Sequence, residues 1–445
     1  MASGLNLRGA FVFVVVAALR FLLHRIAAGN IWRWHTWMIP AALFIVSAGI
    51  SALGAANRYA AFKGIYDWLP IFTTAFVVGE AVQSERWLKR LIVGLVIAGL
   101  AEAMLGIVQA SQSVSQIVQA LQMPLSGIVY QPNLFRDRLA DLSFNWVLDG
   151  RVVTFGTFIN GIDYAILLAA ILPLGFALTL DARGAARKIF WAISTAAIGV
   201  ALLMTFKGSG LIALAGALAV LTLVYLPRLD ARTRMVGLLF LIVGGFAALA
   251  FEPIAQRVLF LFQREVGMLS GVGRVAIWMQ LLTALPQKLL FGFGLINAVG
   301  IIDPLPSLRG GEFVLVLTAP ESAYVAALIE TGVIGFVALI AFIGVVTWRA
   351  YRNAHVTGDY PYLMWTQAAS LRARLPATTE SDLVITRHVN GSAMRAGVLA
   401  AIVALWCGNL TVTGLTTDQN GLLLGVLIGM VFSSANPCTA RKSLP

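Results

Sequence analysis

Ser270-Gly271-Val272-Gly273-Arg274 precedes a stretch that reads as a helix running through Trp278 to Leu285, where Pro286 stops it. Glycines ahead of a helix N-terminus let backbone N–H groups approach a phosphate, and the helix dipole favours an anion there. Arg274 adds a planar fork that matches phosphate oxygens. A plain turn followed by a surface arginine gives the same pattern. Farther on, Ala319-Pro320-Glu321-Ser322-Ala323-Tyr324 opens a long apolar run. A carboxylate at Glu321, where the chain passes into a partly dehydrated region, suits a general base. The alternative is an acidic residue complementing the dipole at a helix start.

Membrane helices must position these residues. The 445 residues are 59% hydrophobic and 12% charged, about half the charged share of a soluble domain. Uncharged runs at 38–56, 189–206, 208–226 and 235–251 are each close to the length needed to cross roughly 30 Å of hydrocarbon as a helix. Solid apolar runs exclude the alternating strands of a membrane barrel. The expected fold is an all-α polytopic bundle of about eleven (10–12) spans. They are placed near 10–28, 37–56, 65–83, 91–110, 160–180, 189–206, 208–226, 235–251, 322–347, 394–411 and 420–434. The first run lacks an A-x-A cleavage site and reads as a retained anchor.

Basic short connections at 85–90, 183–188 and 228–234 mark the cytoplasmic side. This divides the chain into N-terminal spans (1–110), a first outer loop (111–159), central spans (160–251), a large outer loop (252–321), a span (322–347), a polar cytoplasmic segment (348–393) and C-terminal spans with a tail (394–445). The net charge of +12 does not signal nucleic acid, because no stretch interleaves basic and aromatic residues into a groove. Cys407 and Cys438 form no CxxC and no cluster, which excludes a disulfide framework and a zinc site. The outer loops nonetheless hold Arg136, Arg138, Arg151, Arg257, Arg264, Arg274, Lys288 and Arg309. A solvated face is one reading; an outward-facing anion site is the other. The apolar stretch 254–263 reads as an interfacial helix, with Arg257 and Arg264 on one face.

The order Arg274-x3-Trp278, Pro286, Gly292-x-Gly294, a variable stretch, then Tyr324-x5-Glu330-x-Gly332-x2-Gly335 resembles the O-antigen ligase and Wzy-type polysaccharide polymerase superfamily. Arg151-Val152-Val153-Thr154-Phe155-Gly156-Thr157-Phe158-Ile159-Asn160 is similar to the family's Arg…Gly-x-Phe…Asn approach to a span. Thr205-Phe206-Lys207-Gly208-Ser209-Gly210 resembles a short outer turn where members usually carry Ser-Arg. The resemblance covers roughly 150–345.

It implies a bacterial inner-membrane glycosyltransferase with its site facing the periplasm. The donor would be a glycan on undecaprenyl diphosphate, and no metal or other cofactor would be needed. Arg274 and Glu321 would be catalytic. Lys207, Arg151, Arg257, Arg264 and Arg309 would bind the diphosphate. Implied partners are the lipid-linked donor and acceptor, membrane lipid, a flippase and a chain-length regulator. Two departures matter: Glu321-Ser322 stands where ligases usually have His-Asn, and Lys207 replaces the arginine. His24, His35, His355 and His388 all fall on the expected cytoplasmic side. Both departures point towards a polymerase of exopolysaccharide, capsule or O-antigen, with transfer to lipid A-core as the alternative. A transporter or flippase would instead place ionisable residues near the midplane, where Glu102 and Glu330 are the candidates. A non-catalytic export component is a further class.

Overall fold

The structure is a computed structural model. It describes residues 15–20, 23, 27, 35–112, 116, 147–148, 151–152, 154–158, 161–205, 207–225, 274–302, 305–309, 312–316, 320, 322–355, 379–410 and 418–433; at 147–148, 151–152, 225, 274–276, 305–309, 312–316, 379–392 and 418–419 it describes the backbone alone. The helices are α1 (Met38–Leu53), α2 (Arg58–Ala81), α3 (Glu85–Ser111), α4 (Gly161–Asp181), α5 (Ala185–Met204), α6 (Gly208–Tyr225), α7 (Arg274–Ala284), α8 (Ala323–His355), α9 (Thr379–Gly408) and α10 (Asp418–Phe432). The bundle is all-helical. Two short antiparallel hairpins lie in the connections: β1 (Val147–Leu148) with β2 (Arg151–Val152), and β3 (Leu305–Arg309) with β4 (Glu312–Val316).

The helices are apolar outside as well as inside: the core holds Phe44, Trp68, Ile92, Leu168 and Phe342, and large apolar side chains also cover the outer faces. On α1, Ile39, Leu43, Val46, Ile50 and Leu53 are exposed, while Ser47, Ala48, Ser51 and Ala52 are buried. That stripe of large apolar residues needs hydrocarbon around it. Four helices, α3, α4, α5 and α8, are long and apolar enough to cross a membrane; α1, α6 and the apolar parts of α9 and α10 are shorter. Helix α4 is central, with 83% of its most apolar window buried against 22% for α5. It packs on α9, α5, α6 and α3, while α10 lies along α2 and α8 along α1. The α2–α10 contact is close because Gly425 abuts Ile71 and Thr74, and Gly429 abuts Ala75 and Val78. A small-x3-small pattern permits such approach between membrane helices.

Nine of the expected spans coincide with these helices. Residues 15–20 are helical within the first expected span, and the span at 235–251 lies outside the described residues. Helix α2 starts earlier than expected because the Asn57 side chain caps it, accepting from Ala60 N at 3.0 Å. The basic stretch 85–90 forms the first turns of α3, not a loop. Its charges find partners at the same end of the bundle. Lys89 pairs with Asp181 at the end of α4, and Arg395 of α9 pairs with Glu85 at 2.6 Å. His35 and Glu80 stand 3.5 Å apart at that end too. Of the segment expected as a polar connection at 348–393, both ends are helical: α8 continues to His355 and α9 begins at Thr379, and the residues between lie outside the described ones.

Candidate active site

At the end of the bundle opposite these ion pairs α2, α4, α6, α8 and α10 begin, and α9 finishes among α4, α6 and α8. Gly408 of α9 abuts Ile166 of α4 and Ala213 of α6. The Asn409 carbonyl accepts from Ala323 N at 3.1 Å at the start of α8. Tyr324 donates its hydroxyl to the Trp406 carbonyl at 2.9 Å. Asn420 of α10 donates to the Asp163 carbonyl of α4 at 3.2 Å. The end of α9 therefore ties the start of α8 to the starts of α4 and α6.

Lys207 occupies the tight turn between α5 and α6. Thr205 closes α5 by donating to the Leu202 carbonyl at 2.7 Å, and the Lys207 N–H approaches Thr205 Oγ at 3.4 Å. Gly208-Ser209-Gly210 then opens α6, with Gly210 held against Ala165 of α4. A lysine beside a glycine-containing helix N-terminus concentrates positive potential there.

The α8 start is braced from the other side by α7. The helix expected from Arg274 is present, and Pro286 ends it in a 3-10 turn at Leu285–Lys288. Trp278 Nε1 donates to the Pro320 carbonyl at 2.8 Å. Ile277, Leu281, Ala298, Ile302 and Ile329 form a second buried cluster that holds α7 on α8. Arg274 stands one helical turn before Trp278, on the same face, and Pro320 directly precedes Glu321. The side chain of Arg274, all of Glu321, and Arg257 and Arg264 lie outside the described residues. The structure thus brings the Lys207 turn, the α7 face and the residues flanking Glu321 to one end of the bundle.

The remaining expected phosphate-binding residues sit on the hairpins. In the backbone register Arg151 pairs with Leu148 and Arg309 with Glu312. Both hairpins carry an established two-residue turn signal, Asp-Gly and Gly-Gly, which reading 295–318 as merely variable overlooked.

The other family-like motifs are structural. Gln109 Oε1 of α3 accepts from Phe155 N at 3.1 Å and Gly156 N at 2.9 Å, and its Nε2 donates to the Gly156 carbonyl at 2.7 Å. Glu102 accepts from Thr157 N at 3.0 Å and from its hydroxyl at 2.5 Å. Helix α8 is broken at Gly332 (φ 67, ψ −173), a conformation essentially restricted to glycine. The loop carrying Gly292-x-Gly294 is sewn into this break. Phe293 N and Gly294 N donate to the Ile329 and Glu330 carbonyls at 3.0 and 2.8 Å, and Val333 N and Ile334 N donate to the Leu289 and Leu290 carbonyls at 2.9 and 3.3 Å. From α1, Ser51 donates to the Glu330 carbonyl at 2.6 Å and Ser47 to the Thr331 carbonyl at 3.1 Å. Glu330 itself is buried, with its carboxylate 3.4 Å from Ala298 N. Both carboxylates within apolar helices are therefore engaged with the main chain of turns.

A family model described as O-antigen ligase matches residues 192–340, from α5 to the middle of α8. No curated protein matches the chain. The matched range contains the Lys207 turn, α7, the sewn loop and the start of α8, while the motif at 151–160 lies outside it. Over residues 192–340 the chain is similar to the O-antigen ligase family, which supports the resemblance read from its motifs.

Proposed function

We propose that this protein is a membrane glycosyltransferase that polymerises undecaprenyl-diphosphate-linked repeat units into exopolysaccharide, capsule or O-antigen. The family domain supports glycan transfer of the ligase or polymerase type. The observation that carries the site is the Trp278–Pro320 hydrogen bond, which fixes the Arg274 helix against the residue preceding Glu321. In this reading the chain lies in the bacterial inner membrane with about eleven spans, its ion-paired end in the cytoplasm and the Lys207 end facing the periplasm. A flippase would supply the substrate and a chain-length regulator would act beside it.

The anomeric C–O bond to the diphosphate breaks, and its electron pair goes to the leaving diphosphate. Lys207 and Arg274 stabilise that charge, an effect that is strong where water is sparse. The acceptor sugar's hydroxyl oxygen attacks the anomeric carbon from the opposite face, and its proton passes to the Glu321 carboxylate. Displacement from the opposite face inverts the anomeric configuration. These steps use only the chain's own side chains. The alternative acceptor is lipid A-core; the replacement of His-Asn by Glu321-Ser322 favours the lipid-linked repeat unit.

The test is a proteoliposome assay with lipid-linked repeat units extracted from a deletion strain. Wild type should extend them, and Glu321→Gln should lower the rate by about 10²–10⁴-fold. Full activity in Glu321→Gln would remove Glu321 as the base. Absence of extension by wild type, with transfer to added lipid A-core, would establish the ligase reading instead.

A further inference from the structure

The loop that follows α7 sits deeper than an aqueous connection would. On α8, exposed Trp348 and Tyr351 stack at 5.7 Å beside Arg349 and Arg352. Aromatic and basic residues together mark a membrane–water boundary. From Arg349, about 20 residues at roughly 1.5 Å each cover a hydrocarbon core of about 30 Å, which reaches Ile329. Val333 and Ile334 therefore lie within the hydrocarbon, about one turn from its other boundary. The carbonyls of Leu289 and Leu290 accept from the N–H groups of these two residues, so the loop tip shares their depth.

Irregular backbone is tolerated at that depth only when its polar groups are satisfied by protein. The reciprocal bonds to the α8 break meet this condition, together with Gly292 N donating to the Lys288 carbonyl at 2.8 Å. The side chains agree. Leu289 and Leu290 (57% exposed) continue the exposed apolar surface of Val333, Ile334, Val337 (59% exposed) and Ile340 on α8. Met279 and Leu282 extend it along the outer side of α7. Lys288 turns its ammonium away to the Gly54 carbonyl and over the Phe293 ring at 5.3 Å, as a lysine does when its stem lies in an apolar layer.

We propose that residues 285–296 form a re-entrant loop, and that its Leu289-Leu290 tip and the Met279 and Leu282 side of α7 are covered by bilayer acyl chains. This assignment rests on the membrane fold and not on the reaction. Combined with the proposed function, it puts α7 and Arg274 at headgroup level, where a lipid-borne diphosphate arrives without leaving its leaflet.

The experiment uses the full chain with Cys407 and Cys438 replaced by serine and a single environment-sensitive fluorophore at Leu290→Cys. Ile340→Cys serves as the lipid-facing reference and Ala56→Cys, in the exposed turn before α2, as the aqueous one. The proteins are placed in phosphatidylcholine vesicles containing phosphatidylcholine spin-labelled on its acyl chain. The fluorophore at 290 should be quenched by the spin-labelled lipid as strongly as the one at 340, and iodide should quench only the one at 56. A labelled Met279→Cys should behave like 290 and keeps the test open should the loop variant fold poorly. Quenching at 290 by iodide, or by neither agent as a second protein surface would give, overturns the proposal. Because no turnover is required, failure here is distinguishable from failure of the glycosyltransferase reading.

Discussion

Lys207 carries the charge of the arginine usual in this family but not its planar fork. If it stabilises a leaving diphosphate as a point charge, Lys207→Arg should retain turnover, and Lys207→Gln should lose about 10²–10³-fold, the range for removing one transition-state donor. Steady-state kinetics on reconstituted protein checks both. Arg274→Lys should be less well tolerated than Lys207→Arg, because bidentate recognition is lost. The position of these residues at helix starts was legible from the sequence because charge beside glycine at a helix start has a local signature. The placement of Arg151 and Arg309 on hairpin strands was not, because strand register is set by pairing across the turn and not by either residue alone. Glu102 and Glu330 read as transport candidates from their apolar surroundings; their partners, Thr157 and Ala298, lie 55 and 32 residues away.

Helix α7 and the broken α8 are the elements that place the site. Trp278→Phe removes the hydrogen bond to Pro320 and should cost about 0.5–1.5 kcal/mol of stability. Turnover should fall by more than this small loss accounts for, since the bond positions the residues beside Glu321. A melting curve and an activity assay on the same preparation separate the two effects. At the break, Gly332→Ala forces alanine into a glycine-only conformation, at about 1–3 kcal/mol, and drives its Cβ into the Leu290 carbonyl. Gly292→Ala meets Gly332 N and the Ile329 carbonyl at 2.5 Å and should be comparably damaging. Gly94→Ala, with open space around it on α3, should be neutral or stabilising by up to about 1 kcal/mol. Thermal melting in detergent checks this ordering. The span positions were readable from uncharged runs, because a helix in hydrocarbon must be apolar along its length. The break was not: Gly332 in an apolar run reads as a small packing residue until the loop at 289–294, some 40 residues earlier in sequence, is seen bonded into it.

The two ends of the molecule differ in what their polar groups do. At one end Glu85, Lys89, Asp181 and Arg395 pair with one another, leaving a closed structural boundary. At the other, several helix N-termini, Lys207 and the α7 face gather around the end of α9, and the family match covers the Lys207 turn, α7 and the start of α8. Under the proposed function, the glycan-transferring side belongs at the second end, where the Lys207 turn and the start of α7 lie. The most direct test is to delete the gene and compare lipid-linked with exported glycans side by side by gel and mass spectrometry. Loss of long polymer, with a single repeat unit left on its lipid carrier, is the predicted result. Full-length polymer accumulating on the carrier would assign the ligase acceptor instead, and an unchanged glycan profile would contradict the account.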